Sequence, residues 1–257
     1  MSWRTTLLRA ASFASLALAP LLMVQGRAVR RNTPQLPGAA GPVTGVVDGH
    51  AGPPLRLLVI GESTVAGVGA PSHAEAVAGQ TAAALADLLG RAVAWRAAGE
   101  IGVTAAAVRR RLVPVLPDEP ADVVLVALGV NDTLRLRTPA RWAADLTALV
   151  AVLRERVGPA SVFLAAAPPM GRFPALPQPL RAVLGLRAHL LNATTAELAP
   201  RLDAVTYLPI TLPVTPALFC ADGFHPGPEG YRQWGGMLAA GMAGQLRQPS
   251  GATSERP

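Results

Sequence analysis

The chain has 257 residues, 51% of them hydrophobic and 15% charged; that is enough apolar material for one ordinary domain with appendages, and too much for a disordered polymer. The formal net charge is +7, yet the basic side chains are all arginines and are scattered apart from Arg109, Arg110 and Arg111, a run that a solvated helix face explains, so nucleic acid is not an expected partner. The single cysteine, Cys220, excludes an internal disulfide and a cysteine-based metal site.

From the N-terminus, Arg4 and Arg9 precede an uncharged, mostly apolar stretch over residues 10–26, long for a secretory core and slightly short for a spanning helix. Arg27, Arg30 and Arg31 follow at once, and positive charge resists export. Residues 1–26 are therefore expected to be an uncleaved membrane-associated segment, with a cleaved signal leading to secretion as the alternative and an apolar helix packed on the domain as the plain one. Residues 27–54, rich in Pro, Gly and small side chains, are expected to be a linker. A single folded domain is expected over 55–247, followed by a flexible tail over 248–257.

Within 55–247 the pattern alternates. Apolar strand-like runs fall at 55–60, 92–97, 122–128, 161–166 and, more weakly, 205–208; helical patterns fall at 73–89, 104–112, 139–156, 180–198 and 228–246. The run at 122–128 is almost pure Val, Leu and Ala, as in a strand buried on both faces. Five strands alternating with five helices predict an α/β fold, a three-layer α/β/α sandwich around a five-stranded, mostly parallel sheet, with function at the carboxyl ends of the strands.

Candidate residues lie at those ends. Asp222, Gly223, Phe224, His225 and Pro226 place a carboxylate and an imidazole three positions apart in the loop beyond the fifth strand. An acid that orients a histidine makes it a general base toward a hydroxyl. The hydroxyl candidate is Ser63, where the first strand ends in Gly61 and Glu62. Taken singly, Ser63 reads equally as a helix N-cap, Asn131 and Asp132 as an Asx turn, and Asp222 with Gly223 as a turn beside a surface histidine.

Taken together, four blocks in order resemble the SGNH hydrolase superfamily, the GDSL-type esterases and lipases. The first block, usually Gly-Asp-Ser, reads Gly61, Glu62, Ser63; the second is offered by Gly102 before Val103 and Thr104, with Gly99 as the fallback. The third, Gly-x-Asn-Asp, is Gly129, Val130, Asn131, Asp132, and the last is Asp222 through Pro226. The resemblance spans about residues 55–246 and implies the flavodoxin-like SGNH fold and a serine esterase or lipase needing neither cofactor nor metal. It assigns Ser63 as nucleophile, His225 as base and Asp222 as its orienting acid. An oxyanion hole would come from the Ser63 and Gly102 N–H groups and the Asn131 amide, since glycine permits close approach and asparagine supplies a neutral donor. Glu62 departs from the usual aspartate, which alters the hydrogen bonds expected around the nucleophile.

Other features have plainer readings. Cys220 is expected to be a small buried residue rather than a second nucleophile, and His50, His73 and His189 to be structural or superficial. Gly67, Val68 and Gly69 do not follow a strand directly and position 72 is serine, so a dinucleotide fingerprint fails; Val65 breaks the Gly-x-Ser-x-Gly elbow. The proline-rich stretch 168–177 is expected either to wall the site with Met170, Phe173 and Leu176 or to be a rigid loop packed on its own domain. The substrate is expected to be a small-molecule or lipid-like ester, without further resolution. An acyltransferase using the same acyl-enzyme, or a non-catalytic binding module of the same fold, stands as the alternative.

Overall fold

A computed structural model of the protein describes residues 18–48, 52–211 and 213–247. The remainder of the expected N-terminal segment, His50 and the expected tail lie outside these residues.

Six strands form one sheet: β1 (Thr44–Val47), β2 (Leu55–Gly61), β3 (Val93–Gly99), β4 (Val123–Ala127), β5 (Ser161–Ala165) and β6 (Val205–Leu208), in the order β1-β3-β2-β4-β5-β6. All neighbours are parallel except β1, which runs antiparallel to β3. The chain therefore leaves β2 for β3 on one side and returns to β4 on the other, so the ends of β2 and β4 bound a switch point where the connecting segments diverge and leave a crevice.

Seven α-helices are described: α1 (Ala19–Asn32), α2 (Val77–Leu89), α3 (Ala105–Arg111), the one-turn α4 (Val130–Leu134), α5 (Pro139–Val157), α6 (Leu180–Leu198) and α7 (Pro228–Leu246). Alternation along each strand divides the core. Leu57 and Val59 of β2, Leu125 of β4 and Phe163 of β5 join α2 and α7 on one face. Leu58, Ile60, Val124, Val126 and Leu164 join α3, α5 and α6 on the other. The Trp142 indole donates to Thr195 Oγ1 at 2.9 Å and ties α5 to α6.

The expected five strands are six, because β1 comes from the segment read as a linker. Its residues alternate between exposed and half-buried with no apolar run, so no buried face announces it; Gly45 instead lies beneath the Trp95 ring, where a Cβ would approach to 2.7 Å. The same segment begins inside α1, which carries the chain from Ala19 to Asn32. Among the described residues no helix is long and apolar enough to cross a membrane. Helix α2 starts at Val77 rather than 73, because the Ala76 N–H bonds back to Ser72 and His73 in preceding turns.

Helices α2 and α7 approach closely through Gly235, where a Cβ would lie 2.8 Å from the Gln80 backbone carbon, whereas one at Gly236 meets nothing within 4 Å. Alanine is worth about 1 kcal/mol over glycine in a helix interior, and overpacking a core costs about 1–3 kcal/mol. Gly235→Ala is thus expected to lower stability by about 1–2 kcal/mol and Gly236→Ala to raise it by up to about 1 kcal/mol, read from urea midpoints at constant m.

Candidate active site

Strand β2 ends at Gly61, where no side chain fits, since a Cβ would stand 2.1 Å from the Ala127 carbonyl oxygen of β4. The chain then turns helically. Val65 and Ala66 N–H donate to the Glu62 carbonyl at 2.9 and 3.1 Å, and Val68 N–H to that of Ser63 at 3.0 Å. Ser63 occupies the first corner of this turn and is buried except for its opening to a cleft.

The loop after β6 brings the acid and the imidazole to it. Cys220 N–H donates to the His225 carbonyl at 2.9 Å and Gly223 N–H to that of Cys220 at 3.0 Å, while Gly223 takes φ +63°, where only glycine is unstrained. His225 Nε2 lies 2.9 Å from Ser63 Oγ, and its Nδ1 lies 2.6 Å from Asp222 Oδ2. The other carboxylate oxygen accepts from Phe224 N–H at 2.7 Å, His225 N–H at 2.8 Å and the Cys220 thiol at 3.1 Å. Burial opposes ionisation of Asp222, but these bonds outweigh it, the His225 ring first, and hold the carboxyl well below the usual range. An anion at Asp222 needs a donor, so Nδ1 carries the proton and the Nε2 lone pair faces the hydroxyl. The Phe224 ring packs at 5.2 Å against the imidazole and is met edge-on by Phe173 at 5.0 Å.

Two contacts lock the histidine loop to the serine turn across 162 positions of chain. Tyr231 at the start of α7 is fully buried and donates to the Val68 carbonyl at 2.6 Å. Gly69, at φ +92°, lies where a Cβ would come within 2.3 Å of the Pro226 carbonyl. Gly69 therefore belongs to this junction, whereas Gly67, at φ +75°, packs against Ala39.

On the other side, Glu62 fills the gap between β2 and the loop after β4. Its carboxylate accepts from Val130 N–H and Asn131 N–H, each at 2.9 Å, and from the Asn131 side-chain amide. Burial pushes its pKa up to about 7 against the pull of these donors. An amide carries two N–H donors, so Asn131 keeps one for the cleft after Glu62 takes the other. Asp132, wholly buried, accepts from Ala105 N–H at 3.0 Å at the start of α3 and lies 3.5 Å from the Arg137 guanidinium. It thereby fixes the segment containing Gly102, which turns at φ +80°.

Ser63, Gly102, Asn131 and His225 all line one cavity of about 920 Å³, and Asp222 stands behind His225. Gly99, the fallback for Gly102, is not among the lining residues: it packs on the serine turn, where a Cβ would lie 2.1 Å from Ala66 N. Of the proline-rich stretch only Leu176 reaches the cavity; Met170 and Phe173 are buried beneath it, as in a loop packed on its own domain. Burial pushes the Cys220 thiol up to about 11, so at neutral pH it is a donor to Asp222 rather than a thiolate. His189 is exposed on α6, and His73 is buried with its pKa lowered by that burial. Sequence reasoning missed the bridging roles of Glu62, Asp132 and Tyr231; adjacency of the first two to Ser63 and Asn131 was the available signal.

A parallel sheet with a serine, a histidine and an aspartate in hydrogen-bonded line at its switch point is the architecture of a hydrolase of the SGNH fold. The chain belongs to the GDSL-like lipase/acylhydrolase family, whose model matches residues 59–233, and is an ester-bond hydrolase. It is 27% identical over 223 residues to a GDSL-like esterase of Mycobacterium tuberculosis, covering 79% of this chain and 68% of that one. Among solved structures it shares the fold of TesA (TM-score 0.57, 23% identity, 75% of this chain and 98% of that one). It also shares that of Est24, a carbohydrate acetylesterase from Sinorhizobium meliloti (TM-score 0.56, 20% identity, 74% and 99%).

The Glu62 carboxyl has a testable signature. Its pKa is raised in the folded state, so its contribution to stability is fully present below the ordinary value of 4.5 and is lost as pH rises through about 7. Urea unfolding is expected to show stability falling between pH 5 and pH 8 by up to about 3 kcal/mol, and Glu62→Gln should flatten that slope. An unchanged slope in the variant would assign it to another group.

Proposed function

We propose that the protein is a serine esterase acting on carboxylic esters through an acyl-enzyme on Ser63. The observation that carries this reading is the unbroken line Ser63 Oγ–His225 Nε2–His225 Nδ1–Asp222 Oδ2, at 2.9 and 2.6 Å, opening on a cleft. As Ser63 Oγ attacks the carbonyl carbon, its proton passes to Nε2, and the Asp222 carboxylate stabilises the imidazolium. The carbonyl π electrons move to oxygen. The developing oxyanion is received by the Ser63 N–H, the Gly102 N–H and the free N–H of Asn131. Among the described residues neither of those backbone groups donates elsewhere, which supports this assignment. Collapse expels the alkoxide, which takes the proton from Nε2; water then repeats the sequence on the acyl-enzyme and releases the acid.

Glu62 and Asp132 are positioning residues in this scheme, the first aiming the Asn131 amide and the second holding the Gly102 turn. Association with a membrane surface through residues 1–26 belongs to the same reading, supported by the exposed Leu21 and Val24 on α1; partition of the full chain between membrane and soluble fractions tests it.

With p-nitrophenyl butyrate, Ser63→Ala and His225→Ala are expected to lose at least about 10⁴-fold in kcat, and Asn131→Ala about 10²–10³-fold, with unfolding midpoints near that of the parent. A fluorophosphonate should label Ser63 alone. An intact protein that neither hydrolyses esters nor is labelled would sink the reading. Transfer to added alcohol outrunning hydrolysis would make it an acyltransferase.

A further inference from the structure

The cavity that opens on Ser63 is not built by the hydrolase domain alone. One side of it is α1: Ala19, Leu22, Met23, Gly26, Val29 and Arg30 all line it, at the spacing of a single helical face. This helix lies outside residues 59–233, the span matched by the family model. It is seated by specific contacts. The Gln25 side-chain amide donates to the Gln178 carbonyl at 2.6 Å and accepts from the Leu180 N–H at 3.1 Å. Leu22 and Val29 pack on the cluster of Met170, Phe173, Leu176, Leu180 and Leu184.

The opposite side, from α4 and α6, is also aliphatic, with Val130, Leu134, Leu180, Val183 and Leu184. Besides Ser63, Asn131 and His225, the polar lining comprises Thr33, Gln35 and three arginines, Arg30, Arg135 and Arg187, and no carboxylate is among the lining residues. A volume of about 920 Å³ is at the upper end for a small-molecule site, roughly 300–1,000 Å³. Walls in which aliphatic side chains of α1, α4 and α6 face one another match an unbranched acyl chain better than a sugar, which needs hydrogen-bond partners throughout.

We propose that α1 is one wall of an acyl-binding trough running from Ser63, so that the protein takes esters of unbranched aliphatic acids of medium length. This rests on the serine-esterase reading above. The acyl chain occupies the trough and its carbonyl carbon lies at Ser63, so the segment ahead of the domain sets chain-length preference.

The test uses the full chain and p-nitrophenyl esters from acetate to dodecanoate below their micelle concentrations. Burial of each methylene is expected to raise kcat/KM about fourfold until the trough is filled. Gly26 lines the cavity and a Cβ there meets nothing within 4 Å, so Gly26→Trp should fill the trough and lower the octanoate-to-acetate ratio of kcat/KM at least about tenfold. Leu21→Trp, on the exposed outer face, should leave the ratio as it is. In parallel, Ser63→Ala protein is titrated with dansyl-undecanoic acid; binding is expected, and Gly26→Trp in that background should weaken it at least about tenfold.

If esters go unhydrolysed while the probe binds and Gly26→Trp removes it, the trough stands and the esterase reading falls. If hydrolysis proceeds but neither chain length nor Gly26→Trp changes kcat/KM, the trough is overturned and the esterase stands. A chain-length gain seen only after removing residues 1–17 would mean that the protein's own segment fills the trough, and would also overturn the proposal.

Discussion

A buried carboxylate is tolerated only where donors are already in place for it, and Glu62 imposes that condition on the segments that meet at the switch point. It is the residue after β2, yet its partners are the first two N–H groups of α4, beyond the end of β4, and the amide of Asn131. Leaving such a group without partners costs several kcal/mol, so the loop cannot wander while the domain stays folded. Orientation of the Asn131 amide thereby becomes a by-product of folding. Asp132 repeats the device one residue on, toward α3, and the turn at Gly102 inherits its position from that bond. The longer side chain of Glu62, where the family usually has aspartate, reaches both backbone N–H groups and the amide together.

The other half of the site is held differently. The acid and histidine sit in one loop whose internal bonds set their mutual geometry, and the Asp222 carboxylate is satisfied almost wholly by residues within three positions of it. What remains is to hold that loop against the serine turn. Backbone contact at Gly69 and the buried Tyr231 hydroxyl do so, and neither tolerates much displacement, the first because a Cβ is excluded and the second because a buried hydroxyl needs its acceptor. Tyr231 begins α7, which packs on α2 through Gly235. The distance from Ser63 Oγ to His225 Nε2 therefore depends on helix packing on the face of the sheet carrying α2 and α7, while Asn131 and Gly102 depend on the face carrying α3 and α5.

The blocks around Ser63, Asn131 and Asp222 were legible because local chemistry advertises them: apolar strands ending in Gly, Asn or Asp at one edge of a βα repeat. Strands β2, β4 and β5 were legible because they are buried on both faces and thus nearly continuous in apolar character, whereas β3 and β6, with half-buried positions, were legible from their place in the βα alternation. Strand β1 was not, since four edge residues that alternate between exposed and half-buried carry no periodic apolar signal. Glu62 was visible as a departure but not as a bridge, because its partners lie 68 and 69 positions away. Gly102 was the better match in sequence and Gly99 the fallback; what separates them in space is that one backbone faces Ala66 and the other lines the cleft. Met170 and Phe173 were apolar in either reading, and hydropathy does not say which side of a loop becomes core.

The N-terminal segment shows the same ambiguity at larger scale. An apolar stretch is satisfied equally by lipid or by an apolar protein surface, since both remove it from water, so hydropathy alone does not choose. The polar residue near the end of the stretch, Gln25, is more informative. Gln25 brings an amide that needs partners wherever water is scarce, and α6 begins after Pro179, which offers no side-chain cap. The first N–H groups of a helix have no partner within it. Gln25 accepts from the N–H of Leu180 and donates to the carbonyl of Gln178, so one side chain satisfies a helix start and itself together. In a bilayer the same amide would have neither partner, and the Leu180 N–H would lose its acceptor. The residue that interrupts the apolar run is the one that seats α1 beside the cleft.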